Sequence, residues 1–182
     1  MKSKLYRILP MLLIVGISLN LSLRAEINPA DHEALEAFAQ QIPEIEAIIE
    51  KVLKDGDSSG LHEIDSVNPP RISGASSYVQ QLQDVLVNRI VAPLKSFFAT
   101  WRNKGKESAV PFGMALKKGF DIPTLMNTLT KKLQDIYAHA EKSGDAILSQ
   151  KAQELMTAVN DMKSRWQGIT PGSMLANIRK AL

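Results

Sequence analysis

The sequence YVQQLQDVLVNRIVAPLKSFFATW, at residues 78–101, decides the fold class of this chain. Its apolar residues recur at steps of three and four, which is the period of an α-helix with one broad apolar face. Ser76 and Ser77 precede the stretch as candidate N-caps, because a serine hydroxyl can accept a free backbone N–H. Pro93 lies inside it, where it removes a helical N–H and crowds the carbonyl of Arg89, so the sequence predicts a kink.

The same helical period continues along most of the chain after residue 25, and no stretch alternates with a period of two. The sequence predicts long helices at residues 28–54, 77–101, 121–143 and 145–166, and short ones at 111–118 and 171–182. Gly144 and Asp145 mark a turn between the last two long helices. The predicted fold is therefore an all-α, antiparallel bundle of about four long and two short helices, with an irregular loop at residues 55–76.

Residues 1–25 are expected to be a secretory signal. Basic residues precede the apolar stretch Ile8–Leu23, and Leu23-Arg24-Ala25 is an acceptable cleavage site. Sixteen residues interrupted by polar ones are short for a membrane span, which needs about 20 apolar residues, although an uncleaved anchor is a second interpretation. We therefore expect one domain at residues 26–182, with no transmembrane span, that is secreted or lies in the periplasm or cell envelope.

Charge and cysteine content restrict the possible functions. Of 22 basic and 19 acidic residues, four basic ones and no acidic one lie within residues 1–25, so the rest of the chain has a net charge of −1. The basic character of the whole chain is then no evidence for a nucleic-acid partner. Residues 26–65 are strongly acidic and the remainder is basic, so either an acidic helix packs beside basic ones or a basic face meets an anionic surface. The absence of cysteine excludes disulfides, thiol catalysis and cysteine-based metal sites.

The loop after the first helix is a candidate calcium site. Its residues Asp55, Asp57, Ser59 and Gly60 match the first half of an EF-hand loop, but the glutamate expected at position 12 is replaced by Ser66. The candidate oxygen ligands are Asp55, Asp57, Glu63 and Asp65. The alternative interpretation is a helix end followed by a polar loop.

No catalytic site is predicted, and we expect neither an enzyme nor a bound cofactor. The sequence GDSSG at residues 56–60 resembles the Gly-Asp-Ser block of GDSL esterases, but a helix precedes it where that family has a strand, and no Asp-x-x-His follows. His139 beside core methionines leaves a haem-binding bundle as an alternative. Methionines at helical spacing, however, usually fill a hydrophobic core.

The order of features from residue 85 to residue 166 resembles the fungal hydrophobic surface-binding protein A family, which includes cell-wall mannoproteins. The resembling residues are Ile90, Leu94 and Phe97, then Leu116-Lys117, then Leu125, Leu129 and Leu133, and after a turn Leu148, Ala152, Leu155 and Val159. The resemblance implies binding of apolar surfaces or lipids, and it assigns no functional residue.

The sequence favours an exported, non-enzymatic bundle that binds a lipid or another apolar or amphipathic partner. The binding would use a groove between helices, or helices that part to expose their apolar faces. The candidate groove residues are Leu86, Ile90, Leu94, Phe97, Trp101, Leu129, Leu133, Leu155 and Trp166. The alternatives are a protein-interaction module of a cell envelope or of a secreted effector, and a calcium- or haem-binding bundle.

Overall fold

The structure is a computed structural model that describes residues 27–55, 57–104, 122–166 and 176–177. The expected signal at residues 1–25 lies outside these residues, as do Gly56, the short helix expected at 111–118 and most of the one expected at 171–182. All regular elements in the described part of the chain are helical, which confirms the all-α fold class. No helix in that part has both the length and the apolar character needed to cross a membrane.

The described α-helices are α1 (Pro29–Ile49), α2 (Gly60–Glu63), α3 (Ser77–Asp84), α4 (Ala92–Lys104), α5 (Ile122–Ser143) and α6 (Ala146–Trp166). Three tighter or wider turns extend them: a π-helical turn at Glu50–Lys54 after α1, a 3₁₀ turn at Ile64–Ser66 after α2, and a π-helical segment at Val85–Val91 that joins α3 to α4.

The π-helical segment explains how the chain stays helical through Pro93. In a regular α-helix the proline ring would crowd the carbonyl of Arg89. Here the N–H of Ala92 donates to the carbonyl of Val87, five residues back, so the hydrogen-bond ladder has already changed before the proline is reached. A π-bulge is one of the few ways in which a helix absorbs such a disturbance. The kink predicted at Pro93 therefore takes the form of a π-helical segment.

The start of α3 is not capped by a serine hydroxyl, although the sequence predicts such a cap. Ser76 occupies the N-cap position, but its hydroxyl makes no capping bond to the helix. Its backbone carbonyl accepts the N–H of Gln80 at 2.9 Å, and its backbone N–H donates to Oδ1 of Asp31 at 2.6 Å. The acidic side chain of α1 therefore fixes the start of α3, which a local sequence pattern does not reveal.

Helices α1 and α6 begin as their sequences predict. The Asn28 side chain caps α1 by accepting the N–H of Ala30 at 3.1 Å, and Pro29 is the first helical residue. Gly144 has a φ of 72°, the left-handed conformation of a helix-ending glycine. Asp145 then caps α6, because its Oδ1 accepts the N–H of Leu148 at 3.0 Å.

The predicted apolar faces of the long helices form one core. Residues that the helical period places on these faces are buried: Leu35, Phe38, Ile42, Ile45, Ile49 and Val52 after Asn28; Leu129, Leu133, Ile136 and Ala140 in α5; and Leu148, Ala152, Leu155, Val159, Met162 and Trp166 in α6. Burial of apolar surface in this core is the main stabilising term available to a chain without disulfides.

The helices do not alternate in direction as predicted. Contacts between α1 and α6 advance together along both helices, from His32 with Asp145 to Glu46 with Arg165, so these helices are parallel. Helix α3 also runs parallel to α1. Only α5 opposes its neighbours: it forms a hairpin with α6, and its Lys132 contacts Gln81 of α3. We call the end with the N-termini of α1, α3 and α6 the upper end, and the opposite one the lower end.

The segment at residues 55–76 makes the parallel arrangement possible, because it returns the chain from the lower end to the upper end. It is partly helical, and its residues Leu61, Ile64 and Val67 are buried in the core. Gly60 lies so close to the π-helical turn after α1 that a Cβ atom there would be 2.6 Å from Cγ2 of Val52. A residue without a side chain is therefore required where this segment crosses the end of α1.

Candidate functional site

The predicted groove residues form part of the core rather than an open groove. The described ones are buried, except Phe97, which is partly buried, and the side chain of Trp101 lies outside the described part: Leu86, Ile90, Leu94, Leu129, Leu133, Leu155 and Trp166. The physical reason is that helices from all sides cover these faces. Among the described residues, two small cavities lie at the edges of this core.

The cavity at the lower end is entirely apolar in its walls apart from one indole N–H. Helices α1, α5 and α6 and the π-helical segment line it with Ile42, Ile45, Ile49, Ile90, Leu125, Met126, Met162 and Trp166. Its volume is about 10 Å³, which is the room that one water molecule needs. Of the predicted groove residues, Ile90 and Trp166 contribute to it. A larger apolar molecule enters only if the surrounding helices separate.

Trp166 is the unusual residue of this cavity. Only 4% of its surface is exposed, and its Nε1–H has no hydrogen-bond acceptor among the described residues. A buried donor without a partner costs about 1–3 kcal/mol. An oxygen acceptor brought into the cavity by a ligand would remove this cost. The sequence indicated Trp166 as the end of an apolar stripe, but the missing acceptor became visible only in the structure.

The walls around Trp166 can adapt their shape. Met126 and Met162 are unbranched and flexible, and methionine side chains repack readily around different molecules. Ile90 belongs to one π-helical segment, and Ile49 directly precedes the π-helical turn Glu50–Lys54. Such segments are often found at functional sites, where they replace regular helical hydrogen bonds. The lower end therefore combines an apolar cavity, a donor without an acceptor among the described residues, and interrupted helices.

A second cavity, also of about 10 Å³, lies beneath the Pro69-Pro70 pair, between α1 and the helix that contains Leu86. Its walls include Gln41 and Gln83, whose Oε1 and Nε2 atoms are buried without partners in the described part of the chain. One acceptor and one donor beside a space of this size fit a single water molecule. The two amide groups in its walls therefore suit a water molecule better than an apolar ligand.

Three of the four candidate calcium ligands, Asp57, Glu63 and Asp65, are held by cations and turns, and Asp55 is exposed at the end of the π-helical turn. Lys51 donates to Glu63 at 2.5 Å and lies 4.0 Å from Asp57, and the bond to Glu63 raises the pKa of Lys51. The N–H of Ser59 donates to Asp57 at 2.8 Å, which lowers the pKa of that carboxyl. No group of three or more metal-binding side chains comes together among the described residues. The structure thus agrees with a helix end and a polar loop, not with the EF-hand hypothesis.

The fourth candidate ligand, Asp65, is bound to α4. Arg102 donates to its Oδ2 at 2.5 Å and to the carbonyl of Leu61 at 2.9 Å, and the bond to Arg102 lowers the pKa of the Asp65 carboxyl. Lys95 donates to the backbone carbonyl of Asp65 at 3.1 Å. Both cations attach the segment at residues 55–76 to the bundle.

Two acidic side chains of α1 pair with basic side chains of α6, as the first of the two interpretations of the charge distribution expects. Glu36 pairs with Lys151, and Glu46 pairs with Arg165 at 2.5 Å, a bond that raises the pKa of the guanidinium. These pairs lie on the surface and contribute little individually. They match the faces of α1 and α6 in charge.

The residues of the haem hypothesis lie at different ends of the bundle. His139 stacks on Tyr78 at the upper end, with the ring centroids 4.7 Å apart. Met126 and Met162 line the cavity at the lower end. The structure does not bring this histidine and these methionines together around one space.

Comparison with known proteins gives no family for the chain. No family model matches it, and neither a curated protein nor a solved structure is significantly similar to it.

Proposed function

We propose that this protein is an exported, non-enzymatic helical bundle that binds a single-chain amphiphile, such as a fatty acid, at the lower end of the bundle. The observation that carries the proposal is the Trp166 indole N–H, which is buried in an apolar cavity without an acceptor among the described residues. A fatty acid has both parts that this site lacks: an oxygen acceptor for the indole and a chain for the apolar walls.

The binding mechanism follows from the small size of the cavity. The alkyl chain enters between α1, α5 and α6 as the lower ends of these helices separate, and Met126 and Met162 repack around it. The buried part of the alkyl chain contributes about 0.8 kcal/mol per CH₂ group, which offsets the cost of opening the bundle. The resemblance to proteins that bind apolar surfaces is consistent with this mechanism.

The alternative function, a protein-interaction module, has less support from the described surface. Its proposed contact regions are the acidic first helix or the basic C-terminal half of the chain, and in the first helix Glu36 and Glu46 already pair with Lys151 and Arg165 of α6. A protein partner would have to break these pairs or use other residues.

Titration with oleic acid tests the proposal, and the two tryptophans provide a matched control. Trp166→Phe removes the indole donor but keeps an aromatic ring, while Trp101→Phe makes the same chemical change at a residue that is not among the described lining of the cavity. A hydrogen bond to a charged acceptor contributes about 1.5–3 kcal/mol, so Trp166→Phe should weaken binding by roughly tenfold or more.

The Trp101→Phe protein should bind oleic acid like the unmodified chain, and its remaining indole should change its fluorescence on binding. Equal affinities of the two variants would remove Trp166 from the site. Absence of oleic acid binding in the unmodified chain would remove the proposed function.

A further inference from the structure

The large apolar side chains that are exposed in the described part of the chain share one location. They are Ile27, Tyr78 and Ile147, with 57%, 41% and 67% of their surfaces exposed. Single exposed apolar residues are common and need no explanation. Here, however, each one stands at or just before the first turn of a helix that begins at the upper end.

Contacts among their neighbours join these three positions into one surface. Asn28, next to Ile27, donates to the carbonyl of Gly74, just before α3. Tyr78 stacks on His139 of α5. Asp145, two residues before Ile147, bonds to His32 of α1 at 2.7 Å. The three exposed apolar side chains therefore lie at the same end of the bundle, on helix starts that contact one another.

When the apolar stretch Ile8–Leu23 is retained as an uncleaved anchor, which is the second interpretation given above, its position indicates what covers this surface. Only Arg24, Ala25 and Glu26 separate Leu23 from Ile27. A chain gains at most about 3.6 Å per residue when fully extended, so Ile27 remains within roughly 15 Å of Leu23 in any conformation. A membrane that holds the apolar stretch would thus lie close to the upper end.

The charges at the upper end favour a lipid surface without net charge. The carboxylates of Asp31 and Asp145 are buried and hydrogen-bonded there. The exposed side chains of the adjoining helix turns, Glu33, Glu141 and Lys142, include both signs and form no basic patch. Attraction to anionic lipids therefore adds little, and insertion of apolar side chains into the interface is the main contribution.

We propose that the upper end of the bundle rests on a zwitterionic lipid bilayer, with Ile27, Tyr78 and Ile147 inserted among the headgroups. Tyr78 suits this position because a tyrosine ring has an apolar body and a polar hydroxyl, as in the aromatic belts of membrane proteins. This surface lies opposite the Trp166 cavity, so the proposal is independent of the fatty-acid site.

Because the chain contains no cysteine, a single introduced cysteine can be labelled selectively. The full chain of 182 residues carries an environment-sensitive fluorophore at Ile147→Cys or, as a control, at Asn103→Cys, an exposed position of α4 at the lower end. With phosphatidylcholine vesicles, the emission at position 147 should shift to shorter wavelength and that at position 103 should stay unchanged.

A second pair of chains tests the apolar side chains themselves. A label at Ala146→Cys should respond to the vesicles, and it should lose this response when Ile27→Ser and Ile147→Ser are added. Equal responses at positions 103 and 147, no response at either, or a response to a protein partner but not to vesicles would each overturn the proposal. So would a label at position 146 that is indifferent to the two serine changes.

Discussion

At the scale of single residues, two buried carboxylates hold the helix starts at the upper end of the molecule together. Asp31, which is 2% exposed, accepts the N–H of Ser76. Asp145, which is 5% exposed, accepts the N–H of Leu148 and lies within hydrogen-bond distance of Nε2 of His32. Each carboxylate links the start of a helix to another helix. Burial of such groups is tolerated because their oxygens have partners.

Replacement of Asp145 should therefore destabilise the fold. Asp145→Ala removes a helix cap, worth about 1 kcal/mol, and leaves His32 without its partner, so we expect a total loss of about 2–3 kcal/mol in the free energy of unfolding. Asp145→Asn should lose less, because its amide oxygen can still accept the N–H of Leu148. Urea unfolding measures both values.

The control for this prediction is Asp84→Ala, whose carboxylate pairs with Arg71 on the surface, where both side chains are more than half exposed. A pair of this kind contributes less than about 1 kcal/mol. If Asp145→Ala cost no more than Asp84→Ala, the link between α1 and α6 would not contribute to stability.

The sequence predicted part of this residue-scale picture. Asp145 was recognisable as a cap, since a glycine precedes it and a new apolar period follows. Its bond to His32 was not, because 113 residues separate the two. The hydroxyl of Ser76 was wrongly expected to cap α3, since only the fold brings the carboxylate of Asp31 to that position.

At the scale of elements, the segment between α1 and α3 is held by ion pairs that depend on pH. The hydrogen bond from Arg102 keeps the pKa of Asp65 below its ordinary value of 3.8. Since the folded pKa is lower than the unfolded one, this bond stabilises the fold fully above pH 3.8, and the stabilisation disappears as the pH falls through the folded pKa.

We expect Arg102→Gln to raise the titration midpoint of the Asp65 carboxyl toward its ordinary value, as measured by carboxyl NMR. Lys95→Met should raise the midpoint less, because the charge of Lys95 is a smaller cause of the shift. The stability difference between the Arg102→Gln and unmodified chains should shrink below pH 4. An unchanged midpoint in Arg102→Gln would mean that the ion pair does not persist in solution.

Element types were predictable from apolar periodicity, but their irregularities were not. The period of three and four holds for an α-helix and tolerates a single π-helical segment, so Val85–Val91 left no separate signal in the sequence. The sequence also could not show the partners of the candidate calcium ligands. Spacing along the loop suggested that its carboxylates bind one calcium ion. In the structure, Lys51 and Arg102 come from other elements and form ion pairs with Glu63 and Asp65.

At the scale of the whole molecule, contacts of very different range hold the bundle together. The hairpin of α5 and α6 is local, while the pairs that join α1 to α6 span up to 119 residues. Closing a long loop is entropically costly, so local contacts generally form first. We therefore expect the hairpin to be structured in the folding transition state and α1 to dock afterwards.

Two equally buried leucines test this order. Leu133 lies in α5 and Leu35 in α1, and both are 0% exposed, so each change to alanine should cost about 2–5 kcal/mol. Leu133→Ala should mainly slow folding, and Leu35→Ala should mainly accelerate unfolding. Chevron plots of the two variants would show the opposite pattern if α1 were part of the folding nucleus.

The helix directions could not be predicted, for a reason that the segment at residues 55–76 makes clear. Short connections impose antiparallel neighbours, but a long connection permits either direction. The choice depends on Leu61, Ile64 and Val67, which bury themselves along the returning path. The candidate site beside Trp166 could not be predicted for the same reason, because the sequence does not show which ends of the apolar faces meet there.

The parallel orientation of α1, α3 and α6 also gives the molecule an electrical polarity. Each helix carries roughly half an elementary charge of opposite sign at its two termini. In a bundle of four alternating helices these macrodipoles cancel in pairs, but here three point one way and α5 alone points the other. The described helices therefore retain a net dipole along the bundle axis, with its positive pole at the upper end, beside the buried carboxylates of Asp31 and Asp145.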